Sequence, residues 1–210
     1  MAEKRHLVML IDVKRCIGCH TCAMACKVEN NLPDGNWWNR VITVGGHTMD
    51  TPEGTYPGLK MSYLAVACQH CQNPSCAEVC LIGAIYKDDS TGIVIIDHNK
   101  CTGCCDCIEA CPYTGVLQFN EQESLYQIDF PVGDEAVPQH HQGVVEKCSF
   151  CYHRVARGEV PACIEVCPAL ARHFGNLNDS SSEVSKLLRQ RSHFQLMPET
   201  GNNPSVYFLT

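Results

Sequence analysis

Apolar residues in this chain come in short runs broken by polar ones. The first, Leu7 to Ile11, is cut off by Asp12. The stretch LIGAIYKDDSTGIVIIDHNK (81–100) sets two apolar runs about an Asp-Asp-Ser-Thr-Gly break and predicts strand, turn, strand. MDTPEGTYPGLK (49–60) is rich in Pro and Gly and predicts a loop. GNWWNRVITV (35–44) holds Trp37 and Trp38, expected to pack or to meet a partner rather than to do chemistry. Residues 120–142 are polar, and His140 and His141 within them read as surface-loop histidines. Towards the end, Ser180 with Glu183 predicts a capping box. A short helix with Val184, Leu187 and Leu188 on one face should follow, and VYFL (206–209) reads as a last strand.

No stretch approaches the ~18 consecutive apolar residues that span a bilayer. The run after the basic start is too short for a secretory h-region, and no twin arginine lies near it. The expectation is a soluble chain whose membrane contact comes through a partner. The formal charge of −7 has no basic block or stripe within it. Nucleic-acid binding leaves a cationic footprint, so that class of partner is not expected.

Seventeen cysteines in 210 residues change the picture. A disulfide scaffold would suit a small secreted chain, but the count is odd and the cysteines fall in tight runs. Sixteen of them sort into four groups: Cys16, Cys19, Cys22 and Cys26; Cys68, Cys71, Cys76 and Cys80; Cys101, Cys104, Cys107 and Cys111; and Cys148, Cys151, Cys163 and Cys167. Every group opens with C-x2-C and closes with C-x3-C, and Pro112 and Pro168 follow the last cysteine of groups three and four. IDVKRCIGCHTCAMAC (11–26) aligns without gaps on IDHNKCTGCCDCIEAC (96–111). Cys105 falls opposite His20 there, which marks Cys105 as the non-ligand of its run.

Three thiolates at C-x2-C-x2-C wrap three corners of an iron–sulfur cubane. Such a loop must bring its backbone close to the cluster, and Gly18 and Gly103 remove a Cβ where that approach is tightest. The third and fourth cysteines lie one helical turn apart on one face. The fourth can therefore reach a neighbouring cluster, with two centres on the order of 10 Å apart. Pro112 and Pro168 restrict the preceding cysteine toward extended geometry. Leu81 and Lys27 stand where the motif would carry the same proline after Cys80 and Cys26, so the chain direction there is open.

Other chemistries fit less well. Structural zinc takes two separated C-x2-C pairs and needs no third cysteine three residues on. CIGCH (16–20) matches a haem-attachment motif, but its cysteines belong to a run repeated elsewhere without the histidine. The residues three beyond each closing cysteine are Glu29, Gly83, Thr114 and Leu170, so no C-x3-C-x2-C of an S-adenosylmethionine radical enzyme begins there. No nucleophile–base pair, Gly-rich nucleotide loop or convincing pair of carboxylates is present, so no catalytic residue is assigned.

Only 20 residues separate groups two and three, against 41 between one and two and 36 between three and four. Groups two and three should form the compact two-cluster unit, leaving one and four to pair around it. The expected sets are Cys16, Cys19, Cys22 with Cys167; Cys148, Cys151, Cys163 with Cys26; Cys68, Cys71, Cys76 with Cys111; and Cys101, Cys104, Cys107 with Cys80. The expected fold is α+β: residues 1–60 with 143–178 as a first ferredoxin-like module, 61–142 as a second inserted within it, and 179–210 as a helix–strand tail. Each module is expected to bind two [4Fe–4S] clusters on short helices and small antiparallel sheets. Four oxidised clusters with their thiolates add about −8 to the chain. Arg15, Lys100, Lys147, Arg154 and Arg157 are the cations expected to offset it.

The four groups in this order, with CQHCQNPSC (68–76), KCSFCYHRVARGEVPACIEVCPA (147–169), ACKVENNLP (25–33) and FGNLNDSSSEVSKLL (174–188), resemble the iron–sulfur electron-transfer subunit of molybdopterin oxidoreductases. Dimethyl sulfoxide, polysulfide and respiratory arsenate reductases have such a subunit. The resemblance covers nearly the whole chain. It implies two interlocked modules, four clusters, no catalysis in this chain, and a large molybdopterin-containing catalytic partner, with a membrane anchor subunit in some complexes. Some relatives lose a group-three cysteine and carry a three-iron cluster; this chain keeps all sixteen ligands, so four [4Fe–4S] clusters are expected. The alternative reading is a free-standing polyferredoxin or the iron–sulfur subunit of a hydrogenase or formate dehydrogenase complex. Cluster loading belongs in the cytoplasm. The family's complexes often sit on the outer face of the cytoplasmic membrane, exported with the catalytic partner; a peripheral place at that membrane is the expectation, on the outer face or, as the alternative, on the cytoplasmic one.

Overall fold

The computed structural model describes residues 4–121, 130–137 and 140–210. In chain order its elements are β1 (Leu7–Asp12), α1 (Thr21–Glu29), β2 (Asn39–Val44), β3 (Ser62–Ala67), α2 (Ser75–Glu78), β4 (Ile85–Lys87), β5 (Val94–Ile96) and α3 (Asp106–Ala110). They continue with β6 (Leu117–Phe119), β7 (Val145–Lys147), α4 (Tyr152–Ala156), α5 (Ala162–Glu165), β8 (Arg172–Asn176), α6 (Glu183–Gln190), β9 (His193–Phe194) and β10 (Val206–Leu209). The architecture is α+β, with small sheets and short helices. Among the described residues no helix is long and apolar enough to cross a membrane.

The short apolar run that opens the chain is the structural centre. All six residues of β1 are buried. Alternation along the strand sends Leu7, Met9 and Ile11 into the main core and Val8 and Leu10 beneath α6. A strand buried on both faces reads as a continuous apolar run, which is why no polar alternation marks it. The sheet order is β8-β1-β10-β9. β1 pairs antiparallel with β8 and parallel with β10, so one pair departs from the expected antiparallel pattern. The C-terminal strand is thus built into the core, with Val206 and Phe208 packed beside Met9 and Ile11. Asp12 ends β1: its carboxylate accepts from the backbone N–H groups of Lys14 and Arg15 and pairs with Arg191.

Three antiparallel strand pairs join the four cysteine groups. β2–β3 lies between groups one and two, β4–β5 between two and three, and β6–β7 between three and four. The β4–β5 pair is the hairpin expected at 81–100, turned through Asp88–Gly92, where the Asp88 carboxylate accepts from the Ser90 and Thr91 side chains. The long 45–61 connection between β2 and β3 carries a single bridge, Glu53 to Lys60, as the Pro/Gly content of that stretch suggests.

Helix α6 forms where its amphipathic spacing places it, with Val184 buried and Leu187 and Leu188 packed against Val8, Leu10 and Leu209. Its cap differs from expectation. Ser182, not Ser180, is the N-cap, and its hydroxyl accepts from the Ser185 N–H at 3.2 Å. The Asp179 carboxylate takes the Ser181 N–H and hydroxyl into a local turn, which delays the first helical residue to Glu183. Ser182→Ala should cost about 1 kcal/mol of stability and Ser180→Ala within about 0.5 kcal/mol, read from urea midpoints at unchanged slope.

Candidate metal centres

None of the seventeen cysteines is paired in a disulfide. Each C-x3-C step occupies a helical turn: Cys22 and Cys26 lie in α1, while Cys76, Cys107 and Cys163 lie in α2, α3 and α5, with Cys80, Cys111 and Cys167 just beyond the ends. α1 packs on α5 and α2 on α3, so groups one and four share one helix pair and groups two and three the other. Cys111 has the extended backbone (φ −82, ψ 119) that Pro112 favours. α1, where Lys27 replaces that proline, runs on to Glu29.

Three hollows in the interior are lined by four cysteines each. One has Cys16, Cys19, Cys22 and Cys167. The second has Cys26, Cys148, Cys151 and Cys163, and the third Cys68, Cys71, Cys76 and Cys111. Every set takes cysteines from two groups. Cys101 and Cys104 lie close enough to Cys107 that charge on any of them opposes ionisation of its thiol. Cys80, just past the end of α2, packs into the same apolar cluster as Cys101 and Cys107. The second set is wholly buried, whereas the first and the Cys101 set each expose one cysteine, Cys19 and Cys104.

Backbone N–H groups point at the thiols, as a cluster loop requires. His70 N–H reaches Cys68 Sγ at 3.5 Å and Phe150 N–H reaches Cys148 Sγ at 3.4 Å. Val145 and Ala171 do the same for Cys101 and Cys167, both at 3.4 Å. The residue two beyond each opening cysteine has a positive φ: Gly18 and Gly103 at 70°, His70 at 43° and Phe150 at 55°. In the two glycine loops an added Cβ would meet the Tyr63 ring at 2.4 Å or the Gly143 carbonyl oxygen at 2.3 Å, so conformation and space both demand glycine. In the other two loops the side chains meet each other: His70 and Phe150 lie with ring centroids 3.7 Å apart and join the second set to the third.

The thiols are set against one another. Burial, reinforced by neighbouring thiols, pushes Cys71, Cys76, Cys107 and Cys151 up to about 12. Cys111 rises to about 11 for the same first cause, and Cys26 and Cys148 are also pushed well up. Such groups remain neutral at pH 7 unless a metal core supplies positive charge, because a coordinating thiol is deprotonated outright. Protein interiors have few voids larger than a water, so hollows walled by convergent thiols fit thiolate-bound metal clusters.

Cys105 lines none of the three hollows. It is the left-handed N-cap of α3 (φ 67, ψ 0), the place held by His20 (φ 58, ψ 1) before α1, and its thiol points to the Gly103 carbonyl.

Of the cations expected near the clusters, Lys147 alone is buried beside thiols, its Nζ bonded to the Val94 and Cys148 carbonyls. Arg15 is exposed and Lys100 pairs with Asp97 at the surface. Arg154 bonds Glu29 and Glu165, and Arg157 bonds Asp134 and Glu159. These guanidinium groups occupy the carboxylates that, with His153, would otherwise suggest a further metal site. His140 also departs from expectation. Its side chain is 2% exposed, with Nδ1 against Glu146 and Nε2 against the Asn30 carbonyl, each at 2.7 Å. The Asn30 amide in turn reaches Cys26 and Cys151. The cation that sequence reasoning missed is Arg172, which lines both the first and second hollows. An arginine in a short strand carries no spacing signal; only the register of β8 reveals it.

A family model described as 4Fe-4S dicluster domain matches residues 59–130 and 134–177. A Halobacterium salinarum protein provisionally named as a dimethyl sulfoxide reductase iron–sulfur subunit is 48% identical over 207 residues, covering 96% of this chain and 78% of its own. The arsenate respiratory reductase iron–sulfur subunit of Shewanella sp. is 36% identical, covering 97% of this chain and 95% of its own. A selenate reductase subunit of Mesobacillus selenatarsenatis is 36% identical, covering 97% and 71% respectively.

Cys105→Ser should leave iron content unchanged, whereas Cys104→Ser should lose up to about four iron atoms per chain, measured by iron analysis of anaerobic preparations.

Proposed function

The chain belongs to the 4Fe-4S dicluster family of reductase iron–sulfur subunits, and from that premise we propose that it relays single electrons through four [4Fe–4S] clusters to or from a molybdopterin-containing catalytic subunit. It is a non-catalytic electron-transfer subunit of an oxidoreductase complex of the kind that serves anaerobic respiration. The other end of the relay is a membrane quinone-linked or soluble redox partner. The complex sits peripherally at the cytoplasmic membrane, on its outer face, with clusters loaded beforehand in the cytoplasm.

The ligand sets are Cys16, Cys19, Cys22 and Cys167; Cys26, Cys148, Cys151 and Cys163; Cys68, Cys71, Cys76 and Cys111; and Cys80, Cys101, Cys104 and Cys107. The observation that carries this reading is that three interior hollows are each lined by four cysteines drawn from two groups. The packing of α1 on α5 and of α2 on α3 supports two modules, one inserted in the other, each with two clusters.

When bound, such clusters supply reversible one-electron chemistry whose potential follows charge, hydrogen bonding to sulfur and exposure. The chain's part is placement. α1 and α5 hold the first and second sets side by side, the His70–Phe150 contact holds the second against the third, and α2 with α3 hold the third against the fourth. His70, Phe150 and Ala171 aim N–H groups at sulfur, which favours added negative charge. The apolar residues around the inner sets keep water out, and Cys19 and Cys104 lie at the surface where electrons enter and leave.

Gentle anaerobic purification from the native cell should recover the chain with a large molybdopterin-containing protein. It should yield about 16 iron and 16 sulfide per copy of the chain. Iron-loaded chain recovered without a large partner would point instead to a free carrier, and a colourless zinc-rich protein would end the electron-transfer reading. The crossed ligation has its own test. Cys167→Ser should abolish the paramagnetic signal of the cluster held by Cys16, Cys19 and Cys22; damage confined to the one held by Cys148, Cys151 and Cys163 would sink it.

A further inference from the structure

Arg172 opens β8 directly opposite Ile11 on β1. Paired residues on neighbouring strands share a face, and Ile11 faces the main core with Leu7 and Met9. The register therefore drives a guanidinium into the cysteine-rich interior, while the next residue, His173, goes to the α6 side. A slip of one position would put Arg172 there instead.

The residue is 6% exposed. Its Nη2 donates to the Met9 thioether at 3.2 Å, a weak acceptor; Nε and Nη1 meet no acceptor of ordinary hydrogen-bond geometry among the described residues, and the Cys22 thiol lies within bonding reach of the guanidinium. A buried guanidinium is ordinarily paired with a carboxylate, because its desolvation is otherwise uncompensated. What surrounds Arg172 instead is sulfur. It lines the hollow of Cys16, Cys19, Cys22 and Cys167 and also that of Cys26, Cys148, Cys151 and Cys163. An arginine guanidinium keeps its proton inside proteins, so Arg172 brings a fixed positive charge to both hollows. Lys147, the other buried cation near thiols, differs in that backbone carbonyls already take its N–H groups.

We infer that Arg172 is a positioning residue for electron transfer: one fixed cation shared by the first and second clusters, donating its free N–H groups to their sulfurs and raising both reduction potentials. Each electron added to either cluster increases the negative charge facing the guanidinium, so the reduced forms gain more from it than the oxidised ones. In a water-poor interior that difference is weakly screened. The inference rests on the cluster sites proposed above.

The test is potentiometric titration of the cluster-loaded protein, followed by electron paramagnetic resonance, for Arg172→Gln and Arg172→Lys. Signals are assigned by their loss in Cys167→Ser and Cys151→Ser. With iron content unchanged, Arg172→Gln should lower the midpoint potentials of the first and second clusters. A shift of at least tenfold in the reduction equilibrium is expected, about 59 mV for a one-electron couple. The clusters of the Cys68 and Cys101 sets should not move, and Arg172→Lys should recover most of the shift. Unmoved potentials in loaded Arg172→Gln, an equal shift of all four, or equal shifts in the Gln and Lys variants would overturn the inference. Should Arg172→Gln fail to load, the loss should be confined to the first two clusters and be repaired by Arg172→Lys; loss of all four, or no repair, also overturns it. An iron-free parent protein would instead mark failure of the cluster reading itself.

Discussion

Four thiolates cannot share an apolar hollow unless positive charge stands among them. This constraint organises the molecule. Burial and mutual repulsion push the cysteine thiols far above neutrality, and only a thiolate-bound metal core reverses that by direct coordination. Lys147 and Arg172 add fixed charge around the thiols but cannot replace such a core, since two cations face more than twice as many buried thiols. Assembly of the sites and formation of the interior are on this account one process, as in other small domains where metal affinity is folding free energy.

The rest of the fold brings distant cysteines to common points. Three strand pairs turn the chain back between consecutive groups. The C-x3-C turns are packed two by two, α1 on α5 and α2 on α3. β1 binds the ends together, with β8 on one side and β10 on the other. Because β1 follows no cysteine and precedes them all, its burial on both faces gives the first loop a rigid base. Ile11 and Asp12 lie only a few residues before Cys16, and the Asp12 carbonyl accepts the Cys16 N–H at 3.0 Å.

Much of the candidate site was legible because ligand chemistry imposes fixed spacing. The four cysteine groups, the helical C-x3-C turns, the hairpin at 81–100 and the apolar face of α6 all follow from local rules, and each lies where the pattern puts it. The alignment of Cys105 with His20 is likewise a local statement, realised as two left-handed N-caps. What the pattern did not reveal depends on long-range register. The run Leu7–Ile11 reads only as short and apolar until β10 is seen to lie beside it. His140 looks like a loop histidine until the fold brings Asn30 and Glu146 against it. The cap of α6 moved by two residues because Asp179 competes for the serine groups nearest it. Four of the five flanking basic residues found carboxylates or solvent, whereas Arg172 reached the thiols through its pairing with Ile11.

Burial differs among the cysteine sets. Cys26, Cys148, Cys151 and Cys163 are all enclosed, while Cys19 of the first hollow and Cys104 of the third group reach the surface. The middle is closed by the His70–Phe150 contact, where burial, and then the charge of Lys147, holds the imidazole well below its ordinary range and so uncharged. An uncharged aromatic joint adds no fixed charge between the inner sites, leaving Arg172 and Lys147 as the buried cations on either side of it. Water, buried cations and N–H groups aimed at sulfur each favour the more negative, reduced form of a cluster, and enclosure among apolar residues opposes it. The three hollows have the same four-cysteine lining, so what differs among them is the water, charge and N–H groups that surround the sulfur.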